Sequence, residues 1–186
     1  MSAYSFSAFR IAAAVLFLGV APTLVAPALA QETKSKIKGL ELSNDAPIQI
    51  ESDKLEIKDP ESKAIFTGNV KVVQGTTTLQ AGSMVVFYKK GGGGAISSGN
   101  ADIDRIEVKD KVFLQSGTQQ ATADIGVFNM TAQTLVLKGK QVVLSEGKNV
   151  FTGCQLDVQM NTGEAQLQAC GGRVQIQLDP KSQKTN

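Results

Sequence analysis

Cys154 and Cys170 are the two side chains here with thiol chemistry of their own, and their setting points to pairing rather than catalysis. The chain has no histidine, which excludes Cys-His and Ser-His-Asp catalysis and every histidine-ligated metal site. Several acids lie close together at Asp102, Asp104, Glu107 and Asp110. Such a cluster invites a calcium reading, but these acids alternate with Ile103, Ile106 and Val108, and no glycine-centred ligand loop encloses them. A solvated strand face is the better account, and no metal or cofactor is expected. Paired catalytic carboxylates of the kind that cleave a polysaccharide are also missing. Lys89-Lys90 followed by Gly91 to Gly94 could cradle a phosphate only if a helix N-terminus followed. No helical period does, so the glycines read as a linker. Tryptophan is absent and aromatics are 5% of the chain, too few for a sugar-stacking platform. The remaining resource is aliphatic, and its use is contact rather than reaction.

The elements that must position those aliphatic residues are strands. Val70-x-Val72 before Gly75 returns as Val112-x-Leu114 before Gly117 and as Val142-x-Leu144 before Gly147. Beyond each glycine the echo continues through Leu79-x-Ala81, Ala121-x-Ala123 and Phe151-x-Gly153. It then runs through Met84-x-Val86, Gly126-x-Phe128 and Leu156-x-Val158. Val174-x-Ile176-x-Leu178 is a fourth, partial copy. Apolar residues two apart, broken by glycine turns, predict half-buried strands in a meander whose hairpins stack on one core. Strands are expected over residues 48–57, 64–73, 76–88, 112–115, 119–130, 134–137, 141–144, 150–160, 164–168 and 173–178.

Residues 1–30 are set apart by composition. Arg10 is the only charge, residues 11–21 are an apolar run, and Ala28-Leu29-Ala30 offers a signal-peptidase site, predicting cleavage between Ala30 and Gln31 and export to the periplasm. An uncleaved membrane anchor is the alternative. Residues 31–46, lysine-rich and weakly patterned, are expected to form a flexible arm, and residues 179–186 a frayed tail. Between them, residues 47–178 make one domain. Across the whole chain 19 basic residues nearly balance 17 acidic ones, which leaves no electrostatic footprint for nucleic acid.

Cys154 and Cys170 flank a turn at Asn161-Thr162-Gly163, and an even cysteine count in an exported chain favours a bridge. If Leu156, Val158 and Met160 oppose Ala169, Leu167 and Ala165, Cys170 falls one residue out of step, unless a bulge at Gly171-Gly172 restores the fit. A bridge and two small buried thiols both stay open on this reading.

Taken in order, several segments resemble the motifs of the OstA-like periplasmic lipopolysaccharide-transport protein A (LptA) family. They are Pro47-Ile48-Gln49-Ile50-Glu51-Ser52-Asp53, Phe66-Thr67-Gly68-Asn69-Val70 with Gln74-Gly75, Leu135-x-Leu137-x-Gly139, residues 142–144, and Gly153. The resemblance spans about residues 46–178. The family's Ala-Asp pair is matched by Ala123-Asp124, while Ala81-Gly82 and Gly153-Cys154 depart from it. The resemblance implies an all-β fold, an open, twisted antiparallel β-jelly roll, with lipopolysaccharide acyl chains held in its apolar groove. It implies head-to-tail stacking between an inner-membrane transport complex and an outer-membrane translocon, with junctions at residues 48–53 and 173–178. Ile48 and Ile50 are the first candidates for lipid contact, because their family counterparts lie in the lipid path. Alternation adds Val70, Val72, Leu79, Met84, Val86, Val112, Leu114, Phe128, Leu135, Leu137, Leu144, Leu156 and Val158. Phe113 is off that parity but aligns with a family aromatic in the groove. Lys89 and Lys90 are candidates for lipid phosphate at the mouth. Two rivals remain: the membrane-anchored relative of the same family, and a structural envelope protein that polymerises by strand addition without carrying lipid.

Overall fold

A computed structural model describes residues 35–36, 40, 42–43, 46–89 and 102–180. Residues 1–30, read above as a signal segment, the expected Ala30/Gln31 junction, Lys90, the glycines Gly91 to Gly94 and residues 181–186 lie outside the described residues. The strands are β1 (Ser35–Lys36), β2 (Gln49–Glu51), β3 (Lys54–Lys58), β4 (Lys63–Gln74), β5 (Thr77–Tyr88) and β6 (Ile103–Ser116). They continue as β7 (Gln119–Asn129), β8 (Thr134–Glu146), β9 (Asn149–Gln159), β10 (Glu164–Gln168) and β11 (Gln175–Gln177), with one 3-10 turn at Asp59–Glu61. Every pairing is antiparallel, in the spatial order β1-β10-β9-β8-β7-β6-β5-β4-β2. β3 extends the β2 edge along β4, and β11 extends the β10 edge along β9. The repeat seen in the sequence is this meander. Its turn glycines Gly75, Gly117 and Gly147 all adopt left-handed backbone, with φ of 56°, 56° and 58°, where a Cβ is unfavourable.

Two of the expected strands are longer than the spacing predicted. Residues read as breaks at Asp110-Lys111 and Gly139-Lys140 lie inside β6 and β8. They belong to a line of register shifts that crosses the sheet from β4 to β9. At that line the inward parity switches in several strands. Leu79 and Ala81 give way to Met84 and Val86 in β5, and Leu135 and Leu137 give way to Val142 and Leu144 in β8, all of them buried. A bulge bends a strand and sharpens its twist, and here it keeps both halves of each strand facing the same side. A sheet with one apolar face and no helix over it, among the described residues, must cover that face by folding on itself. The line of bulges is where it folds.

Carboxylates fasten these corners. Asp53 accepts a hydrogen bond from Asn69 Nδ2 at 2.8 Å, and its own N–H donates to the Gly68 carbonyl at 2.9 Å. The N–H of Lys140 donates to Asp124 Oδ2 at 2.8 Å. The approach is close enough that a Cβ on Gly139 would lie 2.8 Å from that oxygen. The Ala123-Asp124 pair thus serves the backbone of the neighbouring strand. In the other acid group, Asp104 accepts from the Thr131 hydroxyl at 3.0 Å and Arg105 pairs with Glu107 at 3.0 Å.

The segment before β2 also departs from expectation. Ser35 and Lys36 pair with Ala165 and Glu164 of β10, and Leu40 and Leu42 are each 2% exposed within the apolar cluster. Two leucines spaced for one face outweigh the lysines around them once an apolar cleft is available. At the far end, the partial repeat Val174-x-Ile176-x-Leu178 does not face inward, and all three residues are exposed.

Candidate functional site

The candidate site is the concave face itself. Leu79, Val108, Leu114, Phe128, Leu135 and Leu156 are fully enclosed at 0% exposure, and they arrive by strand alternation from the five strands β5 to β9, two of them from β6. All thirteen residues chosen by alternation, Val70, Val72, Leu79, Met84, Val86, Val112, Leu114, Phe128, Leu135, Leu137, Leu144, Leu156 and Val158, come together in one cluster. Ile48 and Ile50 pack against that cluster from the β2 edge, half-buried. Phe113 is the correction. It lies between the inward-facing Val112 and Leu114, opposite Gln80 and Thr122, so its ring belongs to the outer face. Parity decided its position, and the aromatic likeness misled. Among the members that the sequence reading did not select, Ile106 and Val108 were visible as apolar alternates within the acidic stretch. Leu40 and Leu42 were hidden by the lysines of the arm.

Polar side chains mark one end of this interior. Gln74, Thr77, Ser116 and Gln119 are buried beside the Gly75 and Gly117 turns. Thr77 Oγ1 lies 3.2 Å from Ser116 Oγ, and Gln119 Nε2 donates to Glu146 Oε1 at 3.3 Å. Gln74 reaches the segment before β2: Oε1 accepts from the Ser43 N–H at 2.7 Å, while Nε2 donates to the Ser43 and Ala46 carbonyls, both at 2.8 Å. At the other end of β5, the Tyr88 hydroxyl donates to Asp59 Oδ1. That hydrogen bond, with smaller contributions from desolvation and the Asp59 charge, pushes the phenol up to about 12.

Cys154 and Cys170 form a disulfide with their Cα atoms 5.8 Å apart, an ordinary span for a bridge. The pairing across the last hairpin sets Leu167 opposite Leu156 and Ala165 opposite Val158. This register differs by two residues from the expected one. β10 then ends at Gln168, so the backbone has left the ladder before Cys170 and is free to turn towards Cys154. The departure lies upstream of Gly171-Gly172. Among the described residues, no group of three or more acids or cysteines is arranged to hold a metal, and no helix is long and apolar enough to cross a membrane.

An open antiparallel β-jelly roll whose chemistry is an aliphatic inner face defines the class. A family model described as LptA/(LptD N-terminal domain) LPS transport protein matches residues 49–164, and the chain belongs to that family. It is 73% identical, over the full length of both chains, to an uncharacterised protein of Rhizobium meliloti (strain 1021). It is 28% identical over 129 residues to the LPS-assembly protein LptD of Aliivibrio fischeri, matching 64% of this chain and 16% of that much longer one. The fold is also that of LptH, the LptA-homologous periplasmic component of the lipopolysaccharide transport device of Pseudomonas aeruginosa. That crystal structure superposes with a TM-score of 0.62 at 16% identity, covering 74% of this chain and 99% of LptH.

Proposed function

We propose that the mature domain is a non-enzymatic periplasmic carrier that holds lipopolysaccharide by its acyl chains and passes it between copies stacked head to tail. The observation that carries this reading is the aliphatic inner face running without interruption across β4 to β9. Each methylene taken out of water is worth roughly 0.8 kcal/mol, so a multi-acylated lipid needs a long apolar trough rather than a small pocket. Membership of a lipopolysaccharide transport family supports the cargo, and the signal-like residues 1–30 support the compartment.

The edges support the stacking. Of the six exposed large hydrophobics among the described residues, Leu55 and Ile57 lie on β3, and Val174, Ile176 and Leu178 lie on or beside β11. Soluble proteins ordinarily blunt sheet edges with charge. Apolar residues on or beside β3 and β11, which pair along β4 and β9, suit a contact in which one copy's β3 edge meets the next copy's β11 edge, a head-to-tail arrangement that does not close. The two ends of such a row would meet the inner-membrane transport complex and the outer-membrane translocon.

The test is retention of deep-rough lipopolysaccharide by the purified mature protein on size-exclusion chromatography. Co-elution, abolished by Leu137→Asp in a variant that still folds, is the expected result. A protein that polymerises but retains no lipopolysaccharide would instead be a structural envelope component. N-terminal sequencing of the exported protein, with Gln31 expected first, separates the carrier from the anchored relative.

A further inference from the structure

We propose that Leu40 and Leu42 are a built-in occupant of the apolar interior, which an incoming acyl chain must displace; the idea rests on the carrier reading above. The deep part of the interior is covered as it stands. Val70, Val72, Leu79, Met84, Val86, Leu114, Leu135 and Leu156 are all at or below 2% exposure. Lipid can reach these positions only if something that covers them leaves.

Most of the lining cannot leave. β5 and β6 are joined by ten residue pairs, and β4 and β5 by ten more, so moving a strand would open a whole ladder. Leu40 and Leu42 differ in belonging to no strand, while being as deeply buried as the ladder residues, at 2% each. The strands on either side hold them lightly. β1 is fixed to β10 by two residue pairs and β2 to β4 by three. β1 and β2 stand at opposite ends of the strand order, so neither strand can reinforce the other's hold.

A further attachment among the described residues is polar. Gln74 makes three hydrogen bonds to the Ser43 and Ala46 backbone. Water can replace such bonds at little net cost. What the leucines lose on leaving, an acyl chain regains by taking their place, since both are saturated hydrocarbon against the same wall. The ligand class is therefore a saturated acyl chain, and the empty carrier is covered by its own side chains instead of exposing a sticky trough. The fraction of molecules with these leucines out sets the apparent affinity.

Hydrogen exchange on the wild-type mature protein, with and without deep-rough lipopolysaccharide, tests the proposal. The Ser43 amide, protected by Gln74, is expected to exchange about fivefold or more faster in the complex, while the β4 to β9 ladder amides keep their protection. A second arm measures lipopolysaccharide affinity of the Leu40→Ser, Leu42→Ser double variant, whose apparent Kd is expected to fall about fivefold or more. If lipopolysaccharide is retained but Ser43 protection is unchanged or rises, or if the double variant binds no tighter, the displacement proposal fails and the carrier reading stands. If the wild type retains no lipopolysaccharide and no amide responds, the carrier reading falls and takes this one with it. Should the double variant not fold, the wild-type exchange decides.

Discussion

At the residue scale, single polar contacts rather than apolar ones set the testable behaviour, because they fix the ends and corners of an otherwise uniform sheet. Tyr88 donates to Asp59, and its phenol is raised from 10 to about 12. A group whose folded pKa lies above its unfolded one stabilises fully below the unfolded value and loses that contribution as pH rises through the folded value. Stability of the wild type is therefore expected to decline between about pH 10 and 12, and Tyr88→Phe to flatten that part of the profile, as read by urea midpoints across the range. At the corner of β8, Gly139→Ala would press a Cβ to 2.8 Å from Asp124 Oδ2 and 2.9 Å from its backbone N. The backbone atom cannot rotate away, so a loss of about 1–3 kcal/mol is expected. Asp124→Ala, which removes one exposed hydrogen bond to Lys140, should cost less, about 0.5–1.5 kcal/mol. The reverse order in urea denaturation would show that the corner depends on the carboxylate more than on the close approach.

At the scale of elements, the C-terminal edge is the part most dependent on one covalent link. β10 and β11 both lie along β9, and the Cys154–Cys170 bridge ties the bend between them to that strand. The bridge closes a loop with a sequence separation of 16, for which chain-entropy arguments give about 3 kcal/mol. Reduction, or the Cys154→Ser, Cys170→Ser double variant, is expected to lower stability by about that amount and to deprotect the Ile176 amide ahead of the β8 ladder. Equal deprotection of both would mean the edge is not an independent unit. This edge also shows what the sequence conveyed and what it did not. Alternation placed Val70, Leu114, Leu137 and their partners on one face correctly, since a period of two survives in any strand. It divided β6 and β8 at Asp110-Lys111 and Gly139-Lys140, because a bulge and a turn use the same residue types. The hairpin register was missed by two residues because the turn's length decides it, and alternation is blind to an even shift. Leu40 and Leu42 were unreadable for a different reason: their burial depends on a cleft made by residues far along the chain.

At the scale of the whole molecule, the central question is whether the folded sheet exists to surround lipid. A buried apolar interior, exposed apolar residues on or beside β3 and β11 and membership of a lipopolysaccharide transport family belong together if cargo passes through a row of copies. None of them requires a reacting side chain. The most direct measurement is photo-crosslinking in living cells, with a photoreactive residue at Ile50, which packs on the apolar cluster, and at exposed Glu51 beside it as control. Lipopolysaccharide captured at Ile50 and absent at Glu51 is the predicted result. No capture at either position, in an exported protein that still supports growth, would contradict the carrier account.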